Sequence, residues 1–190
     1  MPSKKKLKEL RKVYQIKVTL EGMRPPIWRR LEVLSDTTLD NLHWILQVVM
    51  GWDNYHLHEF TIGGIEYGHP DTDFDSEVEN EKRVKLYQVA PKENMKFIYE
   101  YDFGDGWRHT VLIEKILPVE KGKHYPCCVK GKRACPPEDV GGPWGYSEFV
   151  EAILNITHQD HDDMLEWVGG EFDPDAFNID GINESLKQIT

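Results

Sequence analysis

Alternating apolar and polar side chains mark the first two strands of this sequence. Over residues 13–21, aromatic and branched side chains alternate with polar ones, which predicts a strand with one buried and one solvent-facing side. Pro25 and Pro26 interrupt the pattern, because proline cannot donate a hydrogen bond to a central sheet ladder. Residues 27–34 return to an extended pattern and predict a second strand that pairs with the first.

A helix is predicted directly after this strand pair. Leu39, Leu42, Leu46 and Val49 recur at the spacing of one helix face, and Ser and Thr residues suited to capping precede them. Gly51 is a typical helix stop. The segment therefore reads as an amphipathic helix over residues 39–50 that packs on one face of a sheet.

A second hairpin is centred on Gly63 and Gly64, a pair suited to a two-residue turn. That turn sets His58 opposite His69, and His56 lies on the same face as His58. Because three imidazoles suit zinc or a related divalent ion, His56, His58 and His69 are candidate metal ligands. The alternative, which we favour, is that these histidines sit where the sheet meets helices.

The central hairpin of the chain spans residues 95–116, where aromatic and branched residues flank a Gly-Asp-Gly sequence. With Asp105 and Gly106 as a two-residue turn, Asp102 pairs with His109 across the strands. One interpretation is a polar site at the mouth of the hairpin. The other, which we favour, is a structural pair that fixes the turn.

A rigid, irregular loop follows at residues 134–146, with three prolines, three glycines and the carboxylates of Glu138 and Asp139. Stiff loops hold polar side chains at low entropic cost, as a preorganised site requires. We therefore predict one concave patch made from this loop and the central hairpin, with two histidines close to it. The predicted residues are Asp102, Asp105, His109, Glu138 and Asp139, with His56 and His58 near them.

The elements together predict an α+β fold. Residues 13–190 form one domain with a largely antiparallel, twisted sheet, a packed helix after a β-grasp-like ββα start, and a helical part over about residues 146–190. Residues 118–133 are predicted to be a loop. Residues 1–12 form a basic tail.

Charge and composition narrow the function classes. The net charge of −10 disfavours a general nucleic-acid binder, which needs a basic surface. The chain has no apolar run of membrane-spanning length, and we expect no membrane partner. Its three cysteines, together with a basic N-terminus that no apolar segment follows, favour the reducing cytoplasm.

Four motifs in order resemble the plasmid pRiA4b ORF-3-like proteins, also described as passenger proteins of an IS1096-type element. They are HLHEF (56–60), YDFGDGWRH (101–109), ACPPEDVGGPWGY (134–146) and EWVGGEFDPDAF (166–177). The resemblance implies an α+β domain and an association with mobile elements, without an established activity. The family pattern that this resemblance implies often has a further cysteine where this chain has Val140. The lack of that cysteine disfavours cysteine ligands here.

Three functions remain open from the sequence. The favoured one is a non-enzymatic binding or accessory module for a mobile element or a protein partner, because no catalytic motif is recognised and aromatic residues are abundant. The second is a hydrolase or nuclease that depends on a divalent metal. The third is nucleic-acid binding through the basic residues 4–12 and the face formed by residues 28–30.

Overall fold

The computed structural model describes residues 11–69 and 78–189, so most of the predicted basic tail lies outside the described residues. Eight strands form one open sheet in the order β5-β4-β3-β6-β7-β1-β2-β8, and every neighbouring pair is antiparallel except β4 and β5. The strands are β1 (Lys12–Leu20), β2 (Trp28–Leu34), β3 (His58–Ile62), β4 (Ile65–Gly68), β5 (Glu79–Asn80), β6 (Lys96–Tyr101), β7 (Trp107–Pro118) and β8 (Cys127–Lys132). The predicted α+β class is confirmed.

Five helices accompany the sheet within the described residues. They are α1 (Leu39–Met50), α2 (Leu86–Val89), α3 (Gly142–Leu154), α4 (His161–Val168) and α5 (Ile179–Leu186). The predicted helix over residues 39–50 is confirmed: Thr38 caps its N-terminus by accepting a hydrogen bond from the Asn41 amide, and Gly51 ends it in a left-handed conformation. No helix of the described segments is long and apolar enough to cross a bilayer.

The three predicted hairpins are present, and two of them have the predicted pairing. The turn at Gly63 and Gly64 joins β3 and β4 with Ile62 opposite Ile65, as a two-residue loop requires. The first hairpin pairs β1 with β2. Since β6 lies against β3 and β7 lies against β1, the central hairpin joins the other two into one sheet.

The predicted register of the central hairpin is wrong. Tyr101 pairs with Trp107 and Tyr99 pairs with His109, so the turn contains residues 102–106 instead of two residues. The turn begins early because Asp102 takes a left-handed φ of 56° and its Oδ1 accepts hydrogen bonds from the amides of Gly104 and Asp105. The odd change in register moves His109 to the core face of the sheet.

The predicted loop over residues 118–133 is also partly wrong, because it contains the edge strand β8. This segment has little apolar alternation, and it becomes a strand by pairing with β2, from Trp28 opposite Lys132 to Glu32 opposite Cys127. Pairing with a distant strand leaves no clear periodic signal in the sequence of an edge strand.

Helix α1 and the sheet enclose a buried polar group. The imidazole of His43 lies 2.8 Å from the Tyr99 hydroxyl and 2.9 Å from the Asn54 side-chain oxygen, and its ring stacks on His58 at 3.5 Å. Burial, reinforced by the neighbouring His58, lowers the pKa of His43 to about 3. Burial likewise lowers the pKa of His109 to about 4. Both rings are therefore neutral in the folded protein near pH 7.

The lowered pKa values of His43 and His109 predict that the protein loses stability in mild acid. Below pH 6.5 the unfolded chain protonates both imidazoles while the folded chain does not, so each lowers the free energy of unfolding by about 2 kcal/mol at pH 5. Urea unfolding at a series of pH values between 7.5 and 5 measures this loss. His43→Gln removes one titrating group, and its stability should fall less steeply over the same range. Equal pH slopes for the two proteins would contradict the prediction.

Candidate metal-binding site

The turn of the central hairpin packs directly against the loop that follows β8. The Gly141 amide donates a hydrogen bond of 3.1 Å to Asp105 Oδ2. Gly142 lies so close that a Cβ atom built on it would be 2.3 Å from the Asp105 carbonyl oxygen, and its φ is +69°. Only glycine fits this position, which explains one of the two glycines that follow the Glu138-Asp139 pair.

A buried tryptophan holds the same loop from beneath. Trp52 Nε1 donates to the Pro136 carbonyl oxygen at 2.9 Å, and the indole stacks on Tyr101 at 5.0 Å between ring centres. The Tyr101 hydroxyl donates to Glu138, whose other oxygen accepts from the Asp53 amide at 2.8 Å. Burial, followed by this hydrogen bond to a carboxylate, raises the pKa of Tyr101 well above its usual range. The Glu138 side chain is thus fixed at both oxygens.

A buried arginine fixes the start of the loop. The guanidinium of Arg29 donates to the carbonyl oxygens of Val49 and Lys132 at 3.0 Å and lies 2.9 Å from Cys135 Sγ. It also stacks on the Phe177 ring at 4.8 Å. Burial raises the pKa of Cys135 to about 11, so this cysteine is a neutral packing residue.

Three ligand-type side chains meet where these elements converge. The Nε2 atom of His56 lies 3.1 Å from Asp139 Oδ1 and 3.6 Å from Asp102 Oδ2. This Nε2 is buried and makes no well-directed hydrogen bond within the described chain. In the part of the chain that the structure describes, His56, Asp102 and Asp139 are the one group of three such residues whose ligand atoms all lie within 4.8 Å of one another.

The two separations from His56 Nε2, 3.1 and 3.6 Å, are close to those between ligands of one bound ion. Ligand atoms about 2.0–2.2 Å from a tetrahedral Zn²⁺ lie roughly 3.3 Å from one another. The turn occupies Oδ1 of Asp102, which leaves Oδ2 directed toward His56. Asp102 is nearly buried, whereas the side chain of Asp139 is 68% exposed, so the group is open to solvent on one side.

The structure brings five of the seven predicted patch residues to one place and separates the other two. The five are His56, Asp102, Asp105, Glu138 and Asp139. His109 is fully buried and packs edge-on against Trp52 at 5.4 Å. His58 pairs with the buried Glu81 at 2.9 Å.

The predicted metal ligands His56, His58 and His69 do not form a ligand group in the described chain. His69 is exposed just beyond the end of β4. His58 lies on the core side of β3, where it stacks on His43. His56 precedes β3, so its side chain does not continue the strand alternation on which the prediction relied.

Sequence reasoning missed the residues that support the site. Tyr101 reads as one more aromatic residue of the core stripe, and the sequence does not reveal its hydroxyl bond to Glu138. Trp52 follows the helix stop at Gly51 without any pattern of its own. The paired glycines at 141–142 were a usable signal, because glycine next to acidic loop residues often marks a close backbone approach.

The sequence profile of the plasmid pRiA4b ORF-3-like proteins matches residues 12–181. The chain belongs to this family. It is 39% identical over 179 residues to the uncharacterized protein y4hQ of Sinorhizobium fredii (strain NBRC 101917 / NGR234), a match that covers 93% of this chain and 92% of that relative. This chain is also similar to the crystal structure of MM3350, a protein of unknown function from Methanosarcina mazei Go1. The TM-score is 0.80 and the identity is 40%, and the match covers 89% of this chain and 96% of the MM3350 chain. MM3350 thus has the same fold as this pRiA4b ORF-3-like protein, and the descriptions of both relatives name no activity.

The close approach at Gly142 predicts a specific effect of Gly142→Ala. The added methyl group would displace the loop from the hairpin turn, so the Gly141 and Asp53 amides should lose protection from hydrogen exchange. Gly63→Ala is a matched control, because Gly63 also has a positive φ of +62° but no atom of the described residues lies within 4 Å of its Cβ position. Equal exchange in the two variants would show that backbone strain alone, and not the contact, matters.

Proposed function

We propose that this protein binds one divalent metal ion, such as Zn²⁺ or Mn²⁺, at His56, Asp102 and Asp139, and that the ion serves a hydrolytic reaction. The observation that carries the proposal is the buried Nε2 atom of His56, which faces two carboxylates without forming a well-directed hydrogen bond. A buried polar nitrogen without a partner is costly, and a coordinated cation would satisfy it.

A simple ion pair explains this arrangement less well. An imidazole in an ion pair would donate its N–H to a carboxylate, yet Asp102 Oδ2 lies 3.6 Å away, beyond hydrogen-bond distance, and Asp139 Oδ1 at 3.1 Å makes no well-directed hydrogen bond with it. Ligands of a common cation contact the cation and not one another, so they need no hydrogen bond between them. A nitrogen and two carboxylate oxygens also form a donor set that suits Zn²⁺ and Mn²⁺.

The open side of the site favours hydrolysis over a purely structural ion. Three protein ligands leave coordination positions for water and substrate, and a bound divalent ion lowers the pKa of such a water. Glu138, next to Asp139 in the chain and fixed by Tyr101 and Asp53, offers a carboxylate that can accept a proton. A cavity of about 600 Å³ beside Asp139 provides space for a substrate.

The lining of that cavity disfavours a phosphodiester substrate. Beside Asp139 it carries Glu148, Glu151 and Asp160, and no lysine or arginine of the described residues lines it. The face at residues 28–30 gives no free cationic surface either, because Arg29 is buried and Arg30 donates to both oxygens of Glu114 at 2.6 and 2.8 Å. Within the described residues, neutral or cationic substrates therefore suit the site better than nucleic acid.

A protein-binding module is the second candidate, supported by exposed apolar side chains next to the ligands. Tyr55 and Leu57 flank His56 and are 76% and 71% exposed, and Phe103, directly after Asp102, is 53% exposed. Large exposed side chains of this kind are typical of interface anchors. In this alternative the ion would order the surface for a partner, which is compatible with an accessory role for a mobile element.

Metal binding has a direct test by calorimetric titration of the chelator-treated protein with Zn²⁺ and Mn²⁺. We expect one site, a higher melting temperature with the ion, and an affinity at least about tenfold lower in His56→Gln, Asp102→Asn and Asp139→Asn. Asp162→Asn, which changes an exposed carboxylate on α4, should bind like the wild type. Unchanged affinity in all three ligand variants would refute the site.

Hydrolysis has a separate test with the metal-loaded protein and a panel of chromogenic esters, anilides and phosphate esters. We expect turnover of a neutral or cationic substrate that disappears with chelator and returns with added metal. Glu138→Gln should lower kcat by about 100-fold or more with little change in KM if Glu138 accepts a proton. A protein that binds the metal but turns over no substrate would favour the binding module instead.

A further inference from the structure

A second, smaller cavity of about 210 Å³ lies on another side of helix α3. It is formed between the turn after β1, which contributes Arg24, and the loop and helix residues Arg133, Pro143, Tyr146 and Ser147. Cavities that hold drug-sized ligands measure roughly 300–1,000 Å³, so this one suits a smaller group.

The charge of this cavity is opposite to that of the first. Among the residues that the structure describes, two arginines and no carboxylate line it, in a chain whose net charge is −10. The first turn of α3 also borders it through Pro143, and α3 is a helix of 13 residues. The partial positive charge of a helix N-terminus adds to that of the two guanidinium groups.

A buried hydroxyl in the cavity wall lacks a hydrogen-bond acceptor within the described chain. Tyr146 is 5% exposed, and its hydroxyl makes no well-formed hydrogen bond within the described chain. Burial raises the pKa of Tyr146 to about 12, and Arg133, through its charge and a weak hydrogen bond that it donates to the hydroxyl oxygen, opposes that rise only in part. The hydroxyl is therefore a protonated donor at neutral pH, and a buried donor without an acceptor is costly.

We propose that this cavity is a binding site for a small oxyanion of the phosphate class, held by Arg24, Arg133 and the Tyr146 hydroxyl. Guanidinium groups match oxyanions with charge-assisted hydrogen bonds, and the tyrosine supplies a further neutral donor. The site is separate from the proposed metal group and does not depend on it.

One carboxylate outside the cavity competes for the site. Arg133 Nη1 lies 2.7 Å from Asp175 Oδ1, and the Asp175 side chain is 73% exposed. A bound anion would share this guanidinium with Asp175 or replace it. Removing the Asp175 charge should therefore tighten anion binding, an effect that a merely structural ion pair would not produce.

The test is calorimetric titration of the full chain with inorganic phosphate at fixed ionic strength, in chelator so that no metal binds the anion. We expect affinity to fall roughly tenfold in Arg24→Gln and in Arg133→Gln and severalfold in Tyr146→Phe. It should rise severalfold in Asp175→Asn. Arg83→Gln, which removes an exposed arginine elsewhere, is the control and should bind phosphate like the wild type.

Two results would overturn the proposal. One is that the wild type shows no saturable phosphate binding at concentrations up to on the order of ten millimolar. Such contacts should give a dissociation constant in the millimolar range or lower. The other is a set of pocket variants, including Asp175→Asn, with the same affinity as the control. A parallel titration with acetate tests the anion class, because tighter acetate than phosphate binding would contradict a phosphate-class site.

Discussion

The contact between the hairpin turn at residues 102–106 and the loop at residues 138–142 is the constraint on which the candidate site depends. Gly142 makes it feasible, because no side chain fits against the Asp105 carbonyl group. Asp102 belongs to the turn and Asp139 to the loop, and both have left-handed backbone angles. His56 meets them from the segment before β3. Three remote segments thus contribute one candidate ligand each.

A buried aromatic layer supports this contact. Trp52 lies against both Tyr101 and His109 and holds the Pro136 carbonyl group, while Arg29 fixes the same loop at Cys135. Buried rings and satisfied donors leave the loop little freedom, which is what a preorganised site needs. The same burial keeps His109 neutral, so the layer that supports the site is also a source of acid sensitivity.

Two cavities whose linings carry opposite charge lie on different sides of helix α3. The cavity next to Asp139 is acidic, whereas the one next to Tyr146 carries Arg24 and Arg133. Since exposed charges are screened within about 8–10 Å at physiological salt, each cavity responds mainly to its own lining and not to the net charge of −10. Net charge alone therefore says little about which ligands this family member accepts.

The sequence by itself determined the α+β class, helix α1 and the β3–β4 register, because periodicity, caps and a Gly-Gly turn are local signals. It also pointed to the two stiff loops that meet. The register of the central hairpin, strand β8 and the partners of His56 were decided only by the tertiary structure. Asp102 changes the turn through its own side chain, and β8 forms only against β2. Tyr101, Trp52 and Gly142 act on residues far away in the chain, and no local pattern encodes such contacts.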